Sequence, residues 1–293
     1  RFQCFFTTFA KRSAIFIMNN FPCAKINLGL NIVSRRADGY HNLETVFYPI
    51  NLTDTLEIKQ VSFSANANKC HLTLKGATLD CNPADNLVVM AYKLLDSRFQ
   101  LPPVEAVLEK RIPSQAGLGG GSSDAAFMIT LLNNQFDLNI PVEQMQQLAA
   151  TLGADCAFFI NPVPSYAEGV GDKLSPVSIK ELDDKYLALV KPGVAVSTKE
   201  AYAGVTPSIP KKCCKDIVAQ PIETWANELG NNFEDSVFRS LPILGEVKRD
   251  LYNRGAIYAS MSGSGSTIYG IFEDRPSDVL SAFPDCYSMI IKL

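Results

Sequence analysis

The sequence holds only two histidines, His41 and His71, and none of its eight cysteines forms the C-x-x-C spacing of a zinc or dithiol redox site. Both of those chemistries are therefore excluded. Eight thiols in 293 residues are also too sparse to staple a fold together, so they are read as small buried hydrophobes of a cytoplasmic protein. There is no basic excess either. Lys+Arg 27 against Asp+Glu 30 gives a net charge of −3, which lacks the positive field that a nucleic-acid partner requires. No uninterrupted apolar run approaches the ~20 residues of a membrane span, which excludes a membrane partner. What remains, at 47% hydrophobic and 19% charged, is a globular chain able to bury a core.

Acidic residues are missing from the N-terminus, the first being Asp38. Residues 1–17 (RFQCFFTTFAKRSAIFI) begin without Met and carry only basic charges. They fit neither a secretory signal nor an Arg- and Ser-rich transit peptide well. The expectation is a start at Met18 with an upstream-translation extension before it, an organelle import peptide being the second reading.

Past this segment, Ala24 to Ile32 alternates as a strand, with Ile26, Leu28, Leu30 and Ile32 expected on the core face and Lys25, Asn27 and Asn31 on the other. A turn at Asp38-Gly39 leads to a second strand over 43–50, and further strands are expected at 54–60, 70–75 and 104–112. Helical spacing covers 86–99, 124–136 and 141–152. A run rich in Pro and Gly follows, then a strand at 186–190, helices near 223–229 and 242–254, and strands at 256–261, 267–272 and 286–292. Strands and helices interleave without regular βαβ repetition, so two α+β domains dividing near residue 163 are expected.

The strongest local signal is Pro113-Ser114-Gln115-Ala116-Gly117-Leu118-Gly119-Gly120-Gly121-Ser122-Ser123, running from a strand directly into a helix. Glycines let the backbone approach a ligand, and successive N–H groups at a helix N-terminus bind anions, so this segment reads as a triphosphate cradle. Ser122, Ser123 and Asp124 are good N-cap residues. No Lys precedes the hydroxyls, which excludes the P-loop pattern, and Ser122 stands where the dinucleotide fingerprint needs its third glycine. A second small-residue loop, Ser262 to Ser266, is explained equally well by a hairpin turn or by a ligand contact.

Three separated segments, Pro22-x-Ala24-Lys25-x-Asn27-Leu28, Pro113 to Ser123 and Ser262-Gly263-Ser264-Gly265, resemble the motifs of the GHMP kinases, small-molecule kinases with their own phosphate loop. The resemblance runs from about residue 21 to the C-terminus. It implies a two-domain α+β fold: residues 18–162 as an ATP-binding N-terminal domain like domain 2 of ribosomal protein S5, and residues 163–293 as a ferredoxin-like C-terminal domain. Within the family, Asp38-Gly39-Tyr40-His41-x-Leu43, Leu152-Gly153-Ala154-Asp155-Cys156 and Gly169-x-Gly171-Asp172 are similar to one branch. That branch uses ATP and Mg²⁺ to phosphorylate a hydroxyl of a cytidine-diphosphate-linked sugar alcohol, in the non-mevalonate route to isoprenoid precursors. The alternatives are a mevalonate- or homoserine-type kinase of the same family, or a nucleotide-binding protein that keeps the fold without chemistry.

The resemblance implies Asp155 as catalytic base and Lys25 as the cation that stabilises it and the transferred phosphoryl. Tyr40 and His41 would recognise cytosine by stacking and hydrogen bonding, with Tyr202 closing the sandwich and Thr198 as a polar contact. Asn27 would hold the sugar-alcohol end. Asn86 and Lys110 match positions near the adenine, though a helix-start Asn and a strand-end Lys also have ordinary structural uses. Mg²⁺ would sit mainly on the ATP phosphates, with the Ser122 hydroxyl as a candidate contact, while Asp172 would fix a turn. Ser114-Gln115-Ala116 departs from the family's more glycine-rich loop and stiffens its first residues. The chain would act on its small-molecule substrate as a monomer or homodimer.

Overall fold

A computed structural model describes residues 17–62, 69–76 and 85–293. Of the expected N-terminal extension, residues 1–16 lie outside the described residues, and Ile17 opens the first strand. In chain order come β1 (Ile17–Asn20), β2 (Cys23–Arg35), β3 (His41–Thr53), β4 (Thr55–Gln60), β5 (Cys70–Gly76), α1 (Leu87–Phe99) and β6 (Val104–Lys110). The phosphate-loop segment leads into α2 (Gly120–Gln135), followed by α3 (Val142–Ala150), α4 (Cys156–Ile160), β7 (Ser165–Glu168) and β8 (Lys173–Pro176). The second half comprises β9 (Tyr186–Lys191), α5 (Thr198–Ala203), α6 (Cys214–Val218), α7 (Trp225–Glu228), α8 (Glu234–Ser240), α9 (Pro242–Asn253), β10 (Tyr258–Met261), β11 (Ile268–Phe272), α10 (Val279–Ala282) and β12 (Tyr287–Lys292).

These strands form three sheets, ordered β1-β4-β6-β5, β2-β3-β7-β8 and β10-β11-β9-β12. In the first, β5 and β6 are parallel and joined through α1, so one face needs a helical cover. Apolar residues of α1, α2 and α3, among them Val88, Leu95, Ile129 and Leu148, pack with Leu56, Ile58 and Leu108 to supply it. The third sheet is antiparallel throughout. Counted within the second half, its strands lie in the order 2-3-1-4, which is the ferredoxin-like arrangement expected from the resemblance. Helix α9 covers it with Leu244, Val247 and Leu251, spaced to fall on one helical face.

The division near residue 163 falls ahead of β7 and β8, which nevertheless complete the sheet of β2 and β3. Their Pro- and Gly-rich surroundings read as a linker. As edge strands of four residues each, they draw their order from pairing with β3 rather than from propensity.

The β2–β3 pairing also corrects the expected faces of β2. Gly29 has no partner between Leu28↔Val46 and Leu30↔Thr45 and adopts φ +68°, a bulge that reverses the alternation beyond it. Lys25 and Asn27 therefore share a face with Leu30, while Asn31 turns to the opposite side, where its amide donates to Glu44 Oε1 at 2.8 Å. A Cβ on Gly29 would lie 2.5 Å from Leu229 Cδ1 and 2.7 Å from Cys214 Sγ. Gly29→Ala is therefore expected to lower stability by roughly 2–5 kcal/mol, combining left-handed strain with overpacking. Urea titration should show a lower midpoint at unchanged slope.

Candidate active site

Lys25 is buried on β2, and its ammonium has two hydrogen-bond acceptors and one facing carboxylate. It donates to Asn27 Oδ1 at 2.6 Å and to the Gly117 carbonyl at 3.0 Å, and it faces Asp155 Oδ2 at 3.5 Å. The Phe47 ring lies beneath it, with its centroid 5.2 Å away. Burial lowers the Lys25 pKa below the ordinary lysine value, and the facing Asp155 carboxylate opposes that shift. Asp155 stands at the start of α4 and makes no side-chain capping bond, so its carboxylate is left for Lys25 and for whatever enters the site. Its side chain is 34% exposed.

The Ser262 loop joins this centre from the other half of the chain. Ser262 Oγ donates to the Gly117 carbonyl at 2.9 Å and accepts from the Asn27 backbone N–H at 3.3 Å, and the Tyr269 hydroxyl donates to the Asn27 carbonyl at 2.7 Å. Gly117 has φ +73°, and a Cβ there would fall 1.9 Å from the Ser262 carbonyl oxygen. The two loops approach this closely only because position 117 lacks a side chain. Both loops line a cavity of roughly 260 Å³ together with Lys25, Asn27, Asp155 and Thr198.

The phosphate-loop segment enters α2 one turn earlier than its capping residues suggested. Gly119 is the N-cap and the helix begins at Gly120, so Ser122 and Ser123 lie within the first turn rather than capping it. Two glycines at a helix start weaken the sequence signal, because glycine has low helix propensity. With no side-chain cap, the first N–H groups of a 16-residue helix remain available to an anion at its positive end. Gln115 carries the departure from the family loop. It sits at φ +50°, the left-handed conformation a glycine adopts without strain, and it lines the cavity. Ser114 is exposed, while Ala116 and Leu118 are buried and Pro113 half-buried.

Lys110 lies beneath this loop, buried, with its ammonium paired to Asp124 Oδ2 at 2.7 Å and to Asp54 Oδ2. Asp54 Oδ1 also accepts the backbone N–H groups of Arg111 and Ile112, which ties the end of β6 in place. Burial disfavours the charged form of Lys110, but Asp124 and Asp54 outweigh it and raise the pKa. Burial pushes the Asp124 carboxyl up to about 7 against the pull of Lys110. Asp54 and Asp124 were not singled out from sequence as site residues: Asp54 reads as the first residue of a strand and Asp124 as a helix cap. Asn86 is the N-cap of α1, its side chain accepting from Val88 N–H at 2.9 Å.

At the other end of the cavity, His41 stacks on Tyr202, ring centroids 5.1 Å apart at 24°, and Tyr202 packs edge-on against Phe233. Tyr40, expected to stack on the cytosine, is 67% exposed. Thr198 Oγ1 lies 3.2 Å from Ser264 Oγ. Asp172 Oδ1 accepts from the Val170 N–H at 3.1 Å, the turn-fixing use expected of it. The structure thus gathers Lys25, Asn27, Asp155, Thr198, Tyr202 and the glycine loop around one cavity. It adds Thr45 and Phe47 of β3, which sequence reading treated as ordinary strand residues.

An uncapped helix N-terminus behind a glycine loop, beside a buried Lys25 that faces the half-exposed Asp155 in a two-domain α+β fold, fits a small-molecule kinase of the GHMP type. The family descriptions "GHMP kinases N terminal domain" and "GHMP kinases C terminal" match residues 86–162 and 214–288. The 4-diphosphocytidyl-2-C-methyl-D-erythritol kinase of Bacteroides thetaiotaomicron is 54% identical over 87% of this chain and 92% of its own. That of Parabacteroides distasonis is 48% identical over 91% and 96%. A crystal structure of 4-(cytidine 5'-diphospho)-2C-methyl-D-erythritol kinase superimposes with TM-score 0.75 at 32% identity, covering 94% of this chain and all of that one. The chain belongs to the GHMP kinases and, within them, to the family of 4-diphosphocytidyl-2-C-methyl-D-erythritol kinases. The mevalonate kinase of Methanococcus jannaschii, at TM-score 0.67 and 16% identity, shares the fold.

Two loop substitutions separate close packing from mere flexibility. Gly117→Ala must push the Ser262 loop away and is expected to cut kcat/KM by ~10²-fold through misplacement of the reacting groups. Gln115→Gly relieves a left-handed side chain and should leave kcat/KM within about twofold, with stability changed by no more than about 1 kcal/mol. Steady-state kinetics and thermal melts of the two variants check both expectations.

Proposed function

We propose that the protein transfers the γ-phosphoryl group of ATP to the 2-hydroxyl of 4-diphosphocytidyl-2-C-methyl-D-erythritol, with Asp155 accepting the hydroxyl proton and Lys25 compensating charge. The observation that carries this reading is the Lys25–Asp155 pair, one ammonium 3.5 Å from one carboxylate, opening on the cavity that the phosphate loop shares. Phosphoryl transfer demands positioning and charge compensation more than covalent help from the protein. The free N–H groups of α2 hold the phosphates. Lys25 spans the space between them and Asp155 and compensates the charge that develops on the transferred phosphoryl group. Asn27 holds the sugar-alcohol end, and His41 and Tyr202 offer an aromatic wall to the cytosine. Asn86 and Lys110 support the nucleotide side as helix cap and as the buried cation beneath the loop.

The residues fit a magnesium ion carried on the nucleotide rather than caged by protein. Among the described residues no group of three or more His, Cys, Asp or Glu side chains converges on a metal position. The Ser122 hydroxyl, half-buried in the first turn of α2, is the ligand this chain would supply. Bound there, the ion would neutralise phosphate charge as the γ-phosphoryl departs. The free thiols, such as Cys23, Cys156 and Cys214, fit a reducing cytoplasm.

ATP consumption with 4-diphosphocytidyl-2-C-methyl-D-erythritol, run beside mevalonate and homoserine, tests the assignment. Turnover is expected with the cytidyl substrate alone, reduced at least ~10²-fold in Asp155→Asn as expected for loss of a general base. Equal turnover with mevalonate, or full activity in Asp155→Asn, would overturn it. The pH profile gives a second check. Because Lys25 has a lowered pKa, its ammonium loses its proton as pH rises through a value below the ordinary lysine range of about 10.4. The alkaline limb of kcat/KM should therefore lie below that range, and residual activity in Lys25→Arg should lack the limb.

A further inference from the structure

Thr45 on β3 is fully buried, and its hydroxyl makes two hydrogen bonds. It donates to the Gly29 carbonyl, and it receives Asn27 Nδ2 at 3.0 Å. A hydroxyl has one proton to give, and a carbonyl can only accept. The proton is therefore committed to Gly29, and Thr45 Oγ1 faces Asn27 as an acceptor. The atom of Asn27 that meets it must be the amide nitrogen. From the other side, the ammonium of Lys25 has only donors, so the Asn27 atom that meets it at 2.6 Å must be the amide oxygen. Both ends impose the same orientation, and neither end tolerates its reverse.

The source of this polarity is the bulge. Gly29 is a bulge residue of β2 with no partner in the ladder, and its carbonyl accepts the Thr45 hydroxyl. The chain of donors runs from Lys25 and from the Asn27 amide, through the Thr45 hydroxyl, to a fixed backbone oxygen. We propose that Thr45 is a positioning residue for phosphoryl transfer: anchored on the bulge carbonyl, its hydroxyl locks the Asn27 amide with the oxygen turned toward Lys25, which holds the ammonium in line between Gly117 and Asp155. This inference rests on the reading of Lys25 and Asp155 as the reacting pair.

Without the hydroxyl, the Asn27 amide nitrogen is left unpaired in a buried site, and the amide is free to turn. When it turns, Lys25 meets a donor instead of an acceptor and the ammonium loses a stabilising partner. Its proton is then lost at lower pH. The charged side chains lining the cavity are Lys25 and Asp155, and Tyr202, the further titratable group there, has its pKa pushed up to about 12 by burial and by Asp155. A downward move of the alkaline limb therefore reports on Lys25.

The test compares Thr45→Val, which keeps the shape and removes the hydroxyl, with Thr45→Ser, which keeps the hydroxyl. Thr45→Val is expected to lose between ~10- and ~10²-fold in kcat, as a displaced reacting group does. Its KM for ATP should stay within about twofold, and the alkaline limb of kcat/KM should move to lower pH. Thr45→Ser is expected to restore both kcat and the limb. A Thr45→Val enzyme with wild-type kcat and an unmoved limb would overturn the proposal, as would a Thr45→Ser enzyme impaired equally. Should Thr45→Val fail to fold, Thr45→Cys, similar in volume but a weak donor and acceptor, takes its place with the same outcomes. Asp155→Asn run in parallel separates the two levels. Full activity there removes the reacting pair itself, whereas an unaffected Thr45→Val beside an inactive Asp155→Asn removes only the role of Thr45.

Discussion

A single buried ammonium organises this molecule. Lys25 has three N–H donors and three partners, each from a different stretch of chain: Asn27 two residues on, the Gly117 carbonyl of the phosphate loop, and Asp155 at the start of α4. An unpaired charge in that position would be costly, and removing one partner of a buried pair typically destabilises by about 3–5 kcal/mol. Satisfying Lys25 therefore requires the strand, the loop and the helix start to meet at one point. The Ser262 loop completes the meeting by bonding the same Gly117 carbonyl, which brings the second half of the chain to the first.

A second buried ammonium lies below the phosphate loop and works differently. Lys110 is held by two carboxylates, Asp54 and Asp124, and Asp54 also fixes the backbone of Arg111 and Ile112 where the loop leaves β6. The loop is thus anchored below through Lys110 and above through Lys25. Between these fixed points its glycines leave the backbone free of side chains. The rigidity comes from charge satisfaction and the access from missing side chains, and neither could do the other's work.

Much of this was legible in the sequence, for physical reasons that differ by element. The glycine loop, the P-x-A-K-x-N strand and the L-G-A-D turn are each short and chemically unusual, so Lys25, Asn27, Gly117 and Asp155 could be picked out before any contact was known. Helices α1 and α3 and strands β4, β5 and β6 followed from periodicity, because their apolar faces are packed by a conventional core. The bulge at Gly29 was not legible, since alternation counts residues and cannot register one that drops out of pairing. That is why Asn31 was placed on the wrong face. Thr45, Asp54 and Asp124 escaped for a related reason: their roles depend on partners 14 to 58 residues away, and a lone Thr or Asp carries no signal of that. Within the D-G-Y-H segment, the ring that packs on Tyr202 is that of His41, a long-range contact that the motif alone does not reveal.

The central claim is that phosphate loop, Lys25 and Asp155 converge on one reacting hydroxyl. A crystal structure of the protein with a non-hydrolysable ATP analogue and 4-diphosphocytidyl-2-C-methyl-D-erythritol tests it most directly. The γ-phosphate is expected between the N-terminus of α2 and Lys25, with the substrate 2-hydroxyl about 2.6–3.2 Å from the Asp155 carboxylate. A hydroxyl bound away from Asp155, or a triphosphate lying off the α2 N-terminus, would contradict it.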